Sequence, residues 1–423
     1  MKIETKCIQS GYNPENGQPR VIPINMSTTF KYNSTQEVGD LFDLKADGYF
    51  YTRLANPTVG YVESKLADLE GGVGAMMTSS GQAASLISIL NIASAGDHVI
   101  ASTDIYGGTV NLLGVTLKKM GIEVEFVKVN DLVALEKAIR PTTKAVFAET
   151  IANPALTVLD IEGVSGVAHK YGIPLIVDNT FATPYLCRPF EYGADIVTHS
   201  SSKYLDGHAT ALGGFVVDGG KFDWAKSGRF ACLTEPDESY HGLSYTESFG
   251  NQAYIVKARV QLMRDLGSSP SPMNAFICNL GMETLHLRME RHSFNALKVA
   301  EFLHSDDRVK RVAYPGLESD SQHEKSQKYL RNGMSSGVIT FELESYEACV
   351  KFMDSLKLGA IVVHVADART GVLHPASSTH RQLTAQQLID CGISKETIRL
   401  SVGIENVDDI IADIKQALDK TNA

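Results

Sequence analysis

Apolar residues in the middle of the chain come in short runs separated by longer stretches with helical spacing. The runs HVIAST (98–103), EVEFVKV (123–129), AVFAET (145–150), PLIVDNT (174–180), ADIVTHS (194–200) and GGFVVDG (213–219) are mostly apolar rather than alternating. That is the composition of strands covered on both faces. Helical patterns over 82–94, 109–120 and 160–171 lie between them. Strand and helix in alternation predict an α/β domain with a largely parallel sheet over 66–260. From about 261 onward the pattern changes to a long helical stretch at 274–304, strands near 337–343 and 397–403, and helices at 346–356 and 406–420. This predicts a smaller C-terminal α+β domain over 261–423. Residues 1–65 read as polar and irregular, with turn formers and several aromatics. Such a segment packs poorly on itself and is expected to lie against the main body or a partner subunit.

Composition narrows the class. Of 423 residues, 43% are hydrophobic and 21% charged, an ordinary balance for a soluble globular protein. The 39 Lys and Arg against 49 Asp and Glu give −10 with no long run of one sign. Nucleic acid and anionic membranes reward clustered positive charge, so neither is an expected partner. The opening MKIETKCIQSGYN has charges but no apolar core of a secretory signal, and no stretch approaches the length of a membrane span. The cysteines Cys7, Cys187, Cys232, Cys278, Cys349 and Cys391 form no CxxC pair and no zinc-ligand spacing. Reduced thiols in a cytoplasmic protein, without a structural metal, are the expectation.

Chemistry-bearing residues gather at one edge of the expected sheet. Glu149, Asp178 and Ser200 come at or just beyond strand ends, where open α/β sheets bind ligands. Lys203, three residues past a buried strand, is an odd place for a solubilising charge. Desolvation there would favour the neutral amine that a Schiff base needs, although a lone lysine can also snorkel to the surface. Ser200 and Ser202 could donate to a phosphate beside it. Asp178 could pair with a protonated pyridine nitrogen, or merely cap a turn. Ser79-Ser80-Gly81-Gln82 opens a helix whose first N–H groups suit an anion, without a Walker or dinucleotide-binding pattern. Tyr106 follows a strand end, where it could stack on a ring and assist proton transfer, or sit in the core. Arg399 inside the apolar ILE-ARG-LEU stretch 398–400 needs an anion, either a substrate carboxylate or a neighbouring Asp or Glu.

Assembled, these residues resemble the Cys/Met-metabolism family of pyridoxal-phosphate (PLP) enzymes. The resemblance runs from Gln9-Ser10-Gly11 to Ser401-Val402-Gly403, through Tyr51-Thr52-Arg53-Leu54-Ala55-Asn56-Pro57-Thr58, Ser80-Gly81-Gln82-Ala83-Ala84, Glu149-Thr150-Ile151-Ala152-Asn153-Pro154, Asp178-Asn179-Thr180, Ser200-Ser201-Ser202-Lys203-Tyr204 and His374-Pro375-Ala376-Ser377. It implies the aspartate-aminotransferase-like fold (type I) and a homotetramer of two catalytic dimers. It implies Lys203 as Schiff-base lysine and proton shuttle, and Asp178 as pyridinium partner. Gly81, Gln82, Ser200 and Ser202 would hold the phosphate, Tyr106 would stack on the ring, and Asn153 and Arg399 would meet the substrate. Tyr51 and Arg53 correspond to residues lent to the neighbouring subunit's phosphate.

Within the family, Thr234-Glu235-Pro236-Asp237-Glu238-Ser239-Tyr240-His241-Gly242 resembles an insertion of the O-acetylhomoserine sulfhydrylase branch. Gly108 stands where methionine γ-lyases carry cysteine. His364-Val365-Ala366-Asp367 is shorter than the loop common in that branch, which frames the substrate. The implied activity replaces the acetate of O-acetylhomoserine by sulfide, or by methanethiol, in methionine biosynthesis. The alternative is a methionine or cystathionine γ-lyase-type elimination to a 2-oxo acid and ammonia.

Overall fold

The computed structural model describes residues 1–379, 381, 388 and 392–421; Cys391 lies outside them. Seven strands form the larger sheet: β1 (Gly74–Thr78), β2 (His98–Ser102), β3 (Glu123–Val127), β4 (Thr143–Glu149), β5 (Leu175–Asp178), β6 (Ile196–Ser200) and β7 (Gly214–Asp218). Their order is β1-β7-β6-β5-β4-β2-β3. Strands β2 to β6 pair in parallel, and β7 is antiparallel to both of its neighbours. The apolar runs are explained by two cores, one on each face. In β4, Val146 and Ala148 enter one and Ala145 and Phe147 the other. A strand covered on both sides has no polar face to alternate with. β1 was not expected from the sequence, because Gly-Ala-Met-Met-Thr is poor in β-branched residues. Its pairing with β7, rather than its own propensity, makes it a strand.

The second sheet has the order β10-β11-β12-β9-β8, from β8 (Arg311–Ala313), β9 (Val338–Glu342), β10 (Ala360–Ile361), β11 (Gly371–Leu373) and β12 (Thr397–Ser401). Helices Leu285–His304, Tyr346–Ser355 and Val407–Thr421 pack with it around Ile339, Phe341, Phe352, Leu400 and Ile414.

Two stretches differ from the sequence reading. Residues 1–65 are not irregular throughout: they contain α1 (Ile3–Gln9), α2 (Thr35–Phe42) and the start of α3 (Pro57–Glu70). α3 carries its own start and stop signals. Asn56 accepts from Thr58 N–H at 3.0 Å, Pro57 occupies the first turn, and Gly71 ends the helix at φ 79°. α1 is held by burial of Ile3 and Cys7, worth roughly 1–3 kcal/mol for each side chain. The half-exposed Lys6–Asp68 pair at 2.6 Å adds less than about 1 kcal/mol. The 274–304 stretch is two helices, Pro272–Glu283 and Leu285–His304, broken at Thr284. At the break the Gly281 carbonyl accepts from Arg288 Nη2 at 2.6 Å and from Thr284 Oγ1 at 3.3 Å. Side chains there share the carbonyl with the Thr284 N–H, which donates to it at 3.3 Å.

Among the described residues, no helix is long and apolar enough to cross a membrane. No group of three His, Cys, Asp or Glu among them is arranged to hold a metal ion.

Candidate active site

Register across the larger sheet brings the strand ends together. Glu149 closes β4 directly beside Asp178, which closes β5, and Ser200 closes β6. Beyond these ends lies a cavity of about 470 Å³ lined by Gly81, Gln82, Tyr106, Asn153, Asp178, Ser200, Ser202, Lys203 and Arg399, together with Glu149, Thr180 and His364. Nine of the residues singled out from sequence therefore share one space. Tyr51 and Arg53 do not. They border a separate hollow of about 560 Å³ with Phe30, Phe42 and Tyr240, and the Arg53 guanidinium lies 5.2 Å over the Tyr51 ring.

At the floor, Ser80 caps α4 (Gly81–Leu90) by accepting from Ala83 N–H at 3.2 Å. The N–H groups of Gly81 and Gln82 belong to the first helical turn, which has no carbonyl four residues earlier to use. A Cβ at Gly81 would stand 2.6 Å from Ser200 Cβ, so glycine is what lets the helix terminus close on β6. Ser200 Oγ and Ser202 Oγ lie 2.9 Å apart, and Thr180 Oγ1 accepts from Ser200 N–H at 2.8 Å. Together they form a cradle of N–H and O–H donors at a helix N-terminus, the environment that suits a phosphate.

Asp178 is set deep in this space. It accepts from Thr180 N–H at 2.9 Å, and no Lys, Arg or His among the described residues pairs with it within ion-pair distance. Burial raises its proton affinity, partly opposed by the Thr180 hydrogen bonds and the nearby His199. Glu149 is raised well above the carboxylate range by burial and then by the charge of Asp178. Its two oxygens accept from Tyr106 N–H at 2.7 Å and Asn153 N–H at 3.0 Å. Glu149 thus organises the backbone on either side, while Asp178 lacks a countercharge. A protonated ring nitrogen supplies one, so the residues fit PLP.

Opposite, burial and then the charge of Arg399 push Lys203 down to about 8, so an appreciable fraction is neutral amine near pH 7 to 8. Its Nζ lies 3.3 Å from His364 Nδ1. Arg399, 2% exposed, donates from Nη1 to Asn153 Oδ1 and from Nη2 to Val363 O, both at 3.2 Å. Its Nε is buried with no hydrogen-bond partner, and no carboxylate among the described residues pairs with it. The ion-pair alternative for Arg399 is therefore not what the structure contains. Burial brings its pKa down to about 10, which leaves it cationic at neutral pH.

Two site residues carried no role in the sequence reading. Glu149 was recognised only as a strand end, and its two backbone acceptances require the fold to be seen. His364 was noticed only as part of a short loop, although an imidazole beside apolar Val363 and Val365 was a signal of burial. Gly108 has a local reason. A Cβ there would come 2.5 Å from the Tyr106 ring.

The family described as Cys/Met metabolism PLP-dependent enzyme matches residues 4–419. O-acetyl-L-homoserine sulfhydrylase of Leptospira meyeri is 45% identical, with 99% of this chain and 96% of that one covered. Homocysteine synthase of Schizosaccharomyces pombe is 44% identical, over 99% and 98% of the two chains. A crystal structure from Campylobacter jejuni, assigned as an O-acetylhomoserine (thiol)-lyase, superposes with a TM-score of 0.97 at 39% identity, over 99% and 100%. That protein carries N'-pyridoxyl-lysine-5'-monophosphate. The shared architecture is the aspartate-aminotransferase-like fold, type I.

Proposed function

The chain belongs to the Cys/Met metabolism PLP-dependent enzymes, and we propose that it catalyses γ-replacement on O-acetylhomoserine, joining sulfide to the four-carbon chain and releasing acetate. The relatives named above support this substrate pair, and methanethiol in place of sulfide would give methionine. The observation that carries the reading is Arg399, a buried and incompletely paired guanidinium in the same cavity as Lys203 and Asp178. Such a group calls for a carboxylate from outside the chain.

When bound, PLP supplies a conjugated ring that delocalises negative charge from the substrate's Cα. Each residue then has a task. Lys203 anchors the cofactor and, as a free amine with a lowered pKa, takes the Cα proton and later returns it. Asp178 carries the charge that holds a proton on the ring nitrogen. Gly81, Gln82, Ser200 and Ser202 donate to the phosphate. Arg399, steadied by Asn153, holds the α-carboxylate, which fixes the orientation of Cα before Lys203. Tyr106, tethered through its N–H to Glu149, stacks on the ring and assists proton transfer near the leaving acetate. Loss of protons at Cα and Cβ lets acetate leave from Cγ. Hydrosulfide bonds to that carbon, and the protons return.

Tyr51 and Arg53 we assign to the phosphate of a neighbouring subunit. What supports this is their absence from the lining of their own chain's cavity and the apolar surface in the hollow they border, where Phe42 is 59% and Tyr51 44% exposed. The reading makes residues 1–65 an arm to the neighbour, 66–260 the cofactor domain and 261–423 the domain that supplies Arg399. The assembly is a cytoplasmic homotetramer of two catalytic dimers. The PLP-loaded protein given O-acetylhomoserine should release acetate and homocysteine in equal amounts only when sulfide is added. A 2-oxo acid and ammonia appearing at the same rate without sulfide would establish the lyase alternative instead.

A further inference from the structure

We propose that His364 is a positioning residue for Lys203, holding its Nζ in line with the substrate's Cα in both protonation states of the lysine. The inference rests on the reading of Lys203 as the group that moves the Cα proton. Lysine's four-carbon stem has many rotamers, and an amine released into a cavity of about 470 Å³ has room to wander. The polar neighbour of Nζ among the described residues is His364 Nδ1, at 3.3 Å. An imidazole accepts from an ammonium and, in its other tautomer, donates to a neutral amine, so the contact survives each half of a proton shuttle.

The charge of the partner matters as much as its place. A carboxylate here would favour the ammonium and make Lys203 a poor base. His364 adds no charge. Burial first, then the charge of Lys203, brings it down to about 4; Asp367 and Asp206 oppose this, and Arg399 adds a smaller push in the same direction as Lys203. The backbone that carries the imidazole is tied down on both sides. Val363 O accepts from Arg399 Nη2, Ala366 N–H donates to Ser401 Oγ at 2.8 Å, and Ala368 N–H donates to Gly207 O at 2.9 Å. One short loop therefore touches the carboxylate anchor on one side and the base on the other.

The test uses the PLP-loaded protein and L-norvaline, which has no leaving group at Cγ, and follows exchange of its Cα hydrogen with deuterium oxide. His364→Ala should slow exchange roughly tenfold, with norvaline affinity changed less than about twofold because Arg399 is intact. His364→Leu, which keeps the bulk, should do the same. His364→Asn, whose amide also accepts and donates, should recover exchange to within about threefold of the parent. A second readout needs no turnover: the pH dependence with which cofactor-free protein forms a borohydride-trappable imine at Lys203 with added PLP. His364→Asp should raise its midpoint by about one pH unit. Parent-like exchange in both His364→Ala and His364→Leu, or an unmoved midpoint in His364→Asp, overturns the inference alone. Absence of a trapped imine at Lys203 in the parent overturns the reading of Lys203 along with it.

Discussion

Arg399 and Arg288 are both buried, at 2% and 5% exposure, and burial pushes both down to about 10. They differ in how their donors are used. Arg288 donates from Nη1 to Tyr204 O at 2.7 Å, from Nη2 to Gly281 O at 2.6 Å and from Nε to Thr284 Oγ1 at 3.2 Å. Arg399 has two contacts at 3.2 Å and an Nε with none. The lysines repeat the contrast. Burial lowers Lys257 as it lowers Lys203, but Lys257 sits on Asn91 O at 2.9 Å and Oδ1 at 3.4 Å, whereas Lys203 faces an open cavity and a neutral imidazole. A depressed pKa reports burial. Unfinished pairing reports a ligand still to come.

The contrast can be broken most sharply at the lysines. Lys203→Ala should lower turnover by roughly a thousandfold or more, with an unchanged thermal midpoint. Lys257→Met removes the ammonium from the buried Asn91 oxygens and should cost about 1–3 kcal/mol of stability, while the folded fraction keeps its activity. Comparable loss of turnover in both variants would dissolve the distinction. The arginines come next. Arg399→Ala should reduce kcat/KM for O-acetylhomoserine roughly a hundredfold with little change in denaturant midpoint. Arg288→Ala removes the guanidinium from the Tyr204 and Gly281 carbonyls and from Thr284 Oγ1 and should lower stability by about 2–4 kcal/mol.

A histidine pair sharpens the comparison further, since burial brings both His364 and His292 to about 4. His292 Nδ1 donates to Val402 O at 2.8 Å in the core of the smaller sheet's helix contact. Its folded pKa lies below the ordinary 6.5, so its contribution is complete above pH 6.5 and lost as pH falls through 4. Urea unfolding followed from pH 7 to pH 4 should show a decline of about 2–3 kcal/mol from this residue. His292→Asn should remove its share of that decline, and His364→Asn, at a less completely buried site, should remove a smaller share.

Much of this was legible in the chain because burial on both faces and strand-end placement leave marks in sequence. The apolar runs ending in Glu149, Asp178 and Ser200 announced parallel strands and a ligand edge together. What stayed hidden depended on partners far along the chain. β1 is a strand because β7 lies beside it, and at the break at Thr284 the Arg288 side chain reaches back to Gly281 O. The anchoring role of Glu149 needs Tyr106 N–H, 43 residues away. α3 differs, since its Asn-Pro start and Gly71 stop are readable in the chain, but the polar, aromatic-rich segment before it carries no helical period that leads into them.

The smallest effect is also the cleanest separation of site from scaffold. Gly108 lies in the helical turn Gly107–Asn111 with an ordinary negative φ, so its backbone accepts any residue. Alanine in a helix is favoured over glycine by about 0.5–1 kcal/mol. Yet the new Cβ would stand 2.5 Å from Tyr106 Cε1 and 3.2 Å from Gln82 Nε2, and the ring has to give. Gly108→Ala should therefore hold or slightly raise the thermal midpoint while lowering kcat about threefold to tenfold. A structural glycine would do the reverse, losing stability before activity. If Gly108→Ala turns over at the parent rate, the Tyr106 ring is not held where the chemistry needs it.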